Sequence, residues 1–324
     1  MTSTPGTEAT PRCGLSADEI CGQVLPHYAL PPSLRCRFLT RGMHDNYLVE
    51  SPTEKYILRV YRSRWRSRDE ILFELELLVH LHRRSCPVAC PLFTTASEPL
   101  APVQTADGER LAVLFTYAPG HAPARAIEPR HAETLGQVIA RIHHEADTFS
   151  TVHARQVLDL DYLLDDSVGA ISPYLTREQR RTVQATQRRI RDTLPALSRQ
   201  TPVFGPCSGD VNPRNFHVDD RGRITVFDFD QCGPGWRAFE IGKFYSTLPA
   251  DRSAEALRAA FLRGYESVRA LEPDERRAIP QFVTVSYIWV MALHVYNADL
   301  VGHLLADPGF WIRKLEGLRR LENA

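Results

Sequence analysis

The sequence predicts an α+β chain in two parts, strand-rich at its amino-terminal end and mostly helical after it. Three observations carry this. Up to residue 117, short runs alternate apolar and polar residues with the period of strands, interrupted by one helical stretch. From residue 129 onward, most apolar residues recur at three- and four-residue spacing. Between the two regimes, Tyr117-Ala-Pro-Gly120 breaks regular structure. A length of 324 residues also suits about two compact parts.

Taken in order, residues 16–26 predict a short helix. A strand follows over 35–39, then a turn over Thr40-Arg-Gly-Met-His-Asp-Asn46 and a short alternating stretch at 47–50. Ser51-Pro-Thr-Glu-Lys55 predicts a hairpin turn into the strand Tyr56-Ile-Leu-Arg-Val-Tyr61. From Ser67 the period changes, and Ile71, Leu72, Leu75, Leu78 and Val79 fall on one helical face. Residues 88–94 and 111–117 predict strands again, with Asp107-Gly108 as the tight turn between them. After the break, residues 129–146 place Leu135, Val138, Ile139 and Ile142 on one face of a helix. Residues 175–194, 252–270, 274–300 and 308–322 predict further helices, the last with a core-packing stripe from Trp311. A strand-rich island at 203–230, turning at Gly222, interrupts them. The domain boundaries expected are a disordered tail over 1–15, a strand-rich part over 16–117, a connection at 118–121 and a helical part over 122–324.

Composition excludes several functions. Lys plus Arg and Asp plus Glu both number 39, so the formal charge is zero. Nucleic acid is therefore not an expected partner, because phosphate backbones need a surplus of positive charge. The basic residues are almost all Arg; only Lys55, Lys243 and Lys314 are lysine. No run of about 18 uninterrupted apolar residues occurs, so no membrane span is expected. The first ten residues lack the basic flank and apolar core of a secretory signal. Seven cysteines, an odd number with no Cys-x-x-Cys pair, argue against structural zinc and against a disulfide framework. Packed thiols in a reducing cytoplasm are the expectation.

The chemistry concentrates in Gly209-Asp-Val-Asn-Pro-Arg-Asn215 and Val226-Phe-Asp-Phe-Asp230. Each of Asp210, Asn215 and Asp228 alone would read as a turn or cap residue. Together they can bring one carboxylate and one carboxamide oxygen to a hard cation, with a second carboxylate beside it. Magnesium prefers oxygen ligands and completes its shell with water and phosphate. A carboxylate beside it can take the proton of an attacking hydroxyl. These are the parts of phosphoryl transfer.

At this point the sequence resembles a known family. The segment is similar to the catalytic core of the aminoglycoside phosphotransferase / choline kinase family, which has the two-lobed protein-kinase-like fold. That family's His-Gly-Asp-x-x-x-x-Asn followed by Asp-Phe-Asp appears here as Ser208-Gly209-Asp210-x-x-x-x-Asn215 and Asp228-Phe229-Asp230. The resemblance implies that Asp210 is catalytic and that Asn215 and Asp228 hold Mg2+. Ser208 stands in place of the usual His, and Glu240 where an Asp is usual. By the same resemblance, Arg59 is the phosphate-binding cation where protein kinases have Lys, and Glu74 its helix partner, with Glu70 and Glu76 as alternatives. Asn46 would belong to a phosphate-covering loop, and Tyr117 to the hinge where the adenine ring binds. Leu135-Gly-Gln-Val-Ile-Ala-Arg-Ile-His143 resembles a family helix, with His143 structural. Tyr61-Arg-Ser-Arg-Trp65 is similar to the bacterial stress-response kinase branch.

The resemblance implies transfer of the γ-phosphate of ATP, or of GTP, to a hydroxyl of a small molecule such as an aminoglycoside-like antibiotic, a sugar or an amino alcohol. The alternatives are a kinase for Ser or Thr of a protein or precursor peptide, and a nucleotide-binding pseudokinase, which Ser208 keeps open. The acidic cluster Asp159, Asp161, Asp165 and Asp166 reads as a solvated helix start, or as a surface for a cationic acceptor.

Overall fold

In a computed structural model of the chain, residues 13–123, 127–249 and 253–322 are described. The chain divides into two compact units. Unit 1 takes residues 1–83, 88–118 and 151–154, and unit 2 takes 84–87, 119–150 and 155–324.

Unit 1 begins with α1 (Ala17–Val24), capped by Ser16 and Glu19, which exchange side-chain-to-backbone hydrogen bonds. The strands β1 (Arg35–Arg41), β2 (Asp45–Glu50) and β3 (Lys55–Val60) lead to α2 (Arg68–Arg83), then β4 (Ala101–Thr105) and β5 (Gly108–Thr116). They form one antiparallel sheet in the order β1-β2-β3-β5-β4. Side chains alternate across a strand. Leu58 and Val60 therefore join Ile20 and Val24 of α1 in the core on one face. Arg59 points to the other face, where it meets α2. Burying Leu58 or Val60 contributes about 1.5–3 kcal/mol each.

Several expectations change here. β1 runs on to Arg41 and β2 starts at Asp45, because Thr40 and Arg41 pair in the ladder with Asn46 and Asp45. The turn is thus only residues 42–44, and Asn46 lies in a strand rather than a loop. Residues 88–94 form no strand. Pro87 and Pro91 interrupt the donor series, and the segment meets β5 through single bonds such as Leu92 N to Leu114 O, 2.7 Å. The strand joined to β5 through the Asp107-Gly108 turn is instead β4, which carries Pro102 at the edge of the sheet, where a missing N–H is tolerated. Residues 1–12 of the expected tail lie outside the described residues; Cys13, inside that stretch, is buried in the core. Cys21 and Cys36 form a disulfide, against the expectation of packed thiols, because α1 packs on the sheet close to β1. Cys13, Cys86, Cys90, Cys207 and Cys232 stand outside any disulfide.

Unit 2 contains α3 (Pro129–Ala146), a π-helical turn (Asp161–Asp166) continuing into α4 (Ser167–Ile171), and α5 (Arg177–Thr193). The strands β6 (Phe204–Cys207), β7 (Phe216–Val218), β8 (Ile224–Val226) and β9 (Gly233–Trp236) form two small antiparallel pairs, β6 with β9 and β7 with β8. The helices α6 (Arg237–Ser246), α7 (Ser253–Glu266), α8 (Pro273–Tyr296), α9 (Ala298–Leu305) and α10 (Pro308–Glu322) complete it. The single helix expected over 274–300 is thus two, broken at Asn297. By length and mean hydropathy (1.4) α8 could cross a membrane, but 61% of that stretch is buried inside the protein. Phe282, Ile288, Trp289 and Met291 are fully buried, so α8 serves as a core helix on which α6 packs. The acidic cluster is largely neutralised. Asp161 and Asp165 pair with Arg191, and Asp159 pairs with Arg199.

Candidate active site

In unit 1 the α2 helix settles which glutamate meets Arg59. Glu70 caps the helix start, exchanging bonds with Ser67. Glu76, on another face, bonds Thr151 and lies 3.5 Å from His153. Glu74 is fully buried, and its Oε1 accepts from Arg59 Nη1 at 3.1 Å while Oε2 accepts from the Tyr61 hydroxyl at 3.1 Å. Asn46, opposite Arg59 in the β2–β3 ladder, accepts from Arg59 Nε at 3.4 Å. Arg59, Glu74 and Asn46 thus form one cluster. Tyr117 stands just beyond β5, its ring 5.6 Å from the Lys55 ammonium.

In unit 2 the loop 208–215 runs from β6 to β7. Gly209 has φ +84, and a Cβ there would sit 1.9 Å from Gln231 O, so both backbone and space require glycine. Asx-type bonds then shape the loop. Arg214 N donates to Asn212 Oδ1 at 2.8 Å, and Asn215 N donates to Asn212 O at 3.0 Å. Asn215 Nδ2 donates to both the carbonyl and Oδ2 of Asp210, each at 3.0 Å. Its amide nitrogen being spent there, the carboxamide oxygen faces away from Asp210. Phe227 N donates to Asn215 O at 2.9 Å, which sets Asp228 next in the chain beside Asn215. Asp228 has φ +65, a left-handed conformation that few residues other than Asn, Asp and Gly adopt. The structure therefore gathers Asp210, Asn215 and Asp228 in one neighbourhood of unit 2. Carboxylate and carboxamide oxygens are the donor set a hard divalent cation takes.

Behind the loop lies a buried brace. The Glu240 carboxylate accepts from Ser208 Oγ (2.5 Å), Ser208 N (3.1 Å), Gly209 N (2.8 Å) and His143 Nε2 (2.6 Å). His143 Nδ1 in turn accepts from the Tyr265 hydroxyl at 2.7 Å. Burial, with the nearby Arg237 charge, pushes the His143 imidazole down to about 4, so it is neutral and donates one hydrogen bond to Glu240. Burial alone would raise the Glu240 carboxyl. The hydrogen bonds from His143, Ser208 and Gly209 outweigh it and hold the group below the ordinary carboxylate value. His143, Cys207 and Glu240 place ligand atoms within 4.8 Å of one another, but hydrogen bonds engage His143 and Glu240 fully as a brace.

Sequence reasoning missed Lys243. Its Nζ lies 2.7 Å from Asp210 Oδ1, and its side chain is 2% exposed. Two signals could have found it: lysine is rare in this arginine-rich chain, and residue 243 lies one helical turn from Glu240.

With this geometry in place, the comparisons with known proteins are specific. The model of the phosphotransferase enzyme family matches residues 35–279. This chain belongs to that family. An uncharacterized protein of Synechocystis sp. is 35% identical over 309 residues, 95% of this chain and 86% of that one. The amicoumacin kinase of Bacillus subtilis is 25% identical over 316 residues, 91% of this chain and 86% of that one. Among solved structures, a microcompartment-associated aminopropanol kinase superposes with a TM-score of 0.77 at 22% identity, over 92% of this chain and 93% of that one. An amicoumacin kinase complexed with AMP-PNP, Ca2+ and Ami also gives 0.77, at 20% identity, over 94% and 91%. The phosphotransferase thus has the α+β protein-kinase-like fold, and it is an enzyme that transfers phosphate to a hydroxyl group.

Proposed function

We propose that this phosphotransferase moves the γ-phosphate of ATP to a hydroxyl of a small amino alcohol or a related aminated molecule. The observation that carries the reading is the arrangement of the loop 208–215. It presents a partly exposed carboxylate, Asp210, gripped on one oxygen by Asn215 and on the other by Lys243, beside the oxygen donors of Asn215 and Asp228. In this reading Asp210 orients the acceptor hydroxyl and takes its proton. The new O–P bond forms as the bond to the β-phosphate oxygen breaks, and ADP leaves with that electron pair. Asn215 and Asp228 would hold Mg2+, which when bound neutralises phosphate charge. Arg59, kept in place by Glu74 and Asn46, would grip phosphate oxygens, which a guanidinium does bidentately, and Tyr117 would contact the base.

The acceptor class is supported by relatives named for amicoumacin and aminopropanol, and none of those reported above is named for a peptide. Use of a nucleotide and a divalent ion is supported by the neighbour crystallised with AMP-PNP and Ca2+. The pseudokinase reading loses its motive, because Ser208 makes a bracing bond of its own to Glu240. A cytoplasmic location accompanies the proposal.

The test incubates the enzyme with Mg2+ and ATP, or GTP, and a panel of 1-amino-2-propanol, amicoumacin, aminoglycosides, choline and sugars. Gain of one phosphate is read by mass, with Asp210→Asn as the blank. Transfer to an aminated acceptor that vanishes in the blank supports the reading. Transfer only to sugars or polypeptide, or transfer that survives Asp210→Asn, overturns it.

A further inference from the structure

The helix α6 is buried from Arg237 through Tyr245. At Gly242 a Cβ would come within 2.7 Å of the Phe282 backbone carbon, so α6 lies hard against α8 and has little freedom to shift. Glu240 and Lys243, three residues apart, share one face of it. Glu240 holds the backbone N–H groups of Ser208 and Gly209, and Lys243 holds the carboxylate of the next residue, Asp210. One rigid helix face thus grips three successive residues of the loop, with the sign of each charge matched to what it holds.

Lys243 stands out on three counts. Its side chain is 2% exposed, and burying an ammonium is costly unless it is paired. It pairs with the Asp210 carboxylate itself, at 2.7 Å. It is one of three lysines where every other side-chain guanidinium or ammonium position is arginine. The ammonium is a compact point charge with three rotatable donors, whereas guanidinium is a planar fork. A carboxylate held at one oxygen can still swivel. Here Asn215 Nδ2 takes Oδ2 and Lys243 takes Oδ1, which fixes the carboxylate plane. Each carboxylate oxygen has about two acceptor sites, so a site remains for an acceptor hydroxyl.

We propose that Lys243 is a positioning residue for phosphoryl transfer, locking the Asp210 carboxylate in the orientation that receives the hydroxyl proton. This rests on the reading of Asp210 given above. Misplacing a reacting group by about 1 Å can cost about 100-fold in rate. Removing the lock should therefore lower turnover and leave nucleotide affinity alone.

The test measures release of labelled phosphate from γ-labelled MgATP, with water as the acceptor, in wild type, Lys243→Met, Asp210→Asn and the double variant. Thermal melting is followed in parallel. Lys243→Met should turn over about 10–100-fold more slowly, with KM for MgATP within about twofold of wild type. In the Asp210→Asn background the same substitution should have almost no further effect, because the lock then has nothing to hold. A purely structural lysine would instead give losses that multiply. Lys243→Gln, polar but uncharged, is the second variant if Lys243→Met does not fold, and it must show the same coupling. Lys243→Met turning over like wild type, raising KM alone, or multiplying with Asp210→Asn overturns the inference. A wild type that neither hydrolyses MgATP nor phosphorylates any acceptor overturns the phosphotransfer reading itself, so the two failures are distinguishable.

Discussion

Glu240→Gln is nearly isosteric, so its effect isolates hydrogen bonding from volume. In the native protein Oε1 accepts from Ser208 Oγ and Gly209 N, and Oε2 accepts from Ser208 N and His143 Nε2. Glutamine replaces one oxygen by an NH2 group. With that group facing His143, the imidazole can switch tautomer and accept, and the Tyr265 hydroxyl can accept from Nδ1 in turn. The Ser208 N–H cannot switch and is left facing a donor. With the amide turned the other way, the Gly209 N–H is stranded instead. Either way one buried backbone donor loses its partner, at about 1–3 kcal/mol. The surviving bonds also lose their charge assistance, which brings the expected loss to about 2–4 kcal/mol. Urea unfolding followed by tryptophan fluorescence reads this directly, because Trp236, Trp289 and Trp311 all lie in unit 2. Phosphoryl transfer should fall at least about tenfold in the same variant, since the brace sets the residue preceding Asp210. Unfolding within about 0.5 kcal/mol of wild type, together with unchanged transfer, would refute the reasoning.

Three further outcomes are expected. Arg59→Met leaves the fully buried Glu74 without its cation and should cost about 3–5 kcal/mol; Arg59→Met/Glu74→Met should recover most of that stability while nucleotide affinity, read by titration of a fluorescent analogue, stays lost. His143 titrates near 4 in the folded protein against 6.5 ordinarily, so the unfolded chain binds more protons between those values. Its contribution is fully present above about pH 6.5 and is lost as pH falls through 4, about 3 kcal/mol in all; urea midpoints measured across that range should decline less steeply in His143→Gln, and an unchanged slope would remove the assignment. Gly209→Ala forces a left-handed backbone and a 1.9 Å approach to Gln231 O, so melting should drop by an amount equivalent to about 3 kcal/mol or more, and a wild-type melting curve would contradict the loop geometry.

Much of the candidate site was legible because its parts are close in the chain. Asp210 and Asn215 sit on one short loop rich in turn-forming residues, and Asp228 follows a three-residue strand pairing. Arg59 was legible through strand alternation, since Leu58 and Val60 bury on the face it does not share. The choice among Glu70, Glu74 and Glu76 was not, because all three lie on one helix and only its placement on the sheet selects the one that meets Arg59. Asn46 was misassigned to a loop because its turn signal is local, while the ladder pairing with Arg59 is not. The strand β4 was overlooked because Pro102 argues against a strand unless the strand is known to be an edge.

The sequence by itself determined the two kinds of secondary structure, the candidate loop 208–215 and the chemistry of its oxygen donors, since periodicity, turn residues and residue type are properties of neighbours along the chain. Only the tertiary structure decided that Glu240, His143 and Lys243 stand behind that loop. They lie about 30 residues or more from the atoms they touch, as Lys243 does from Asp210, and no local pattern encodes which face of a buried helix will meet which turn.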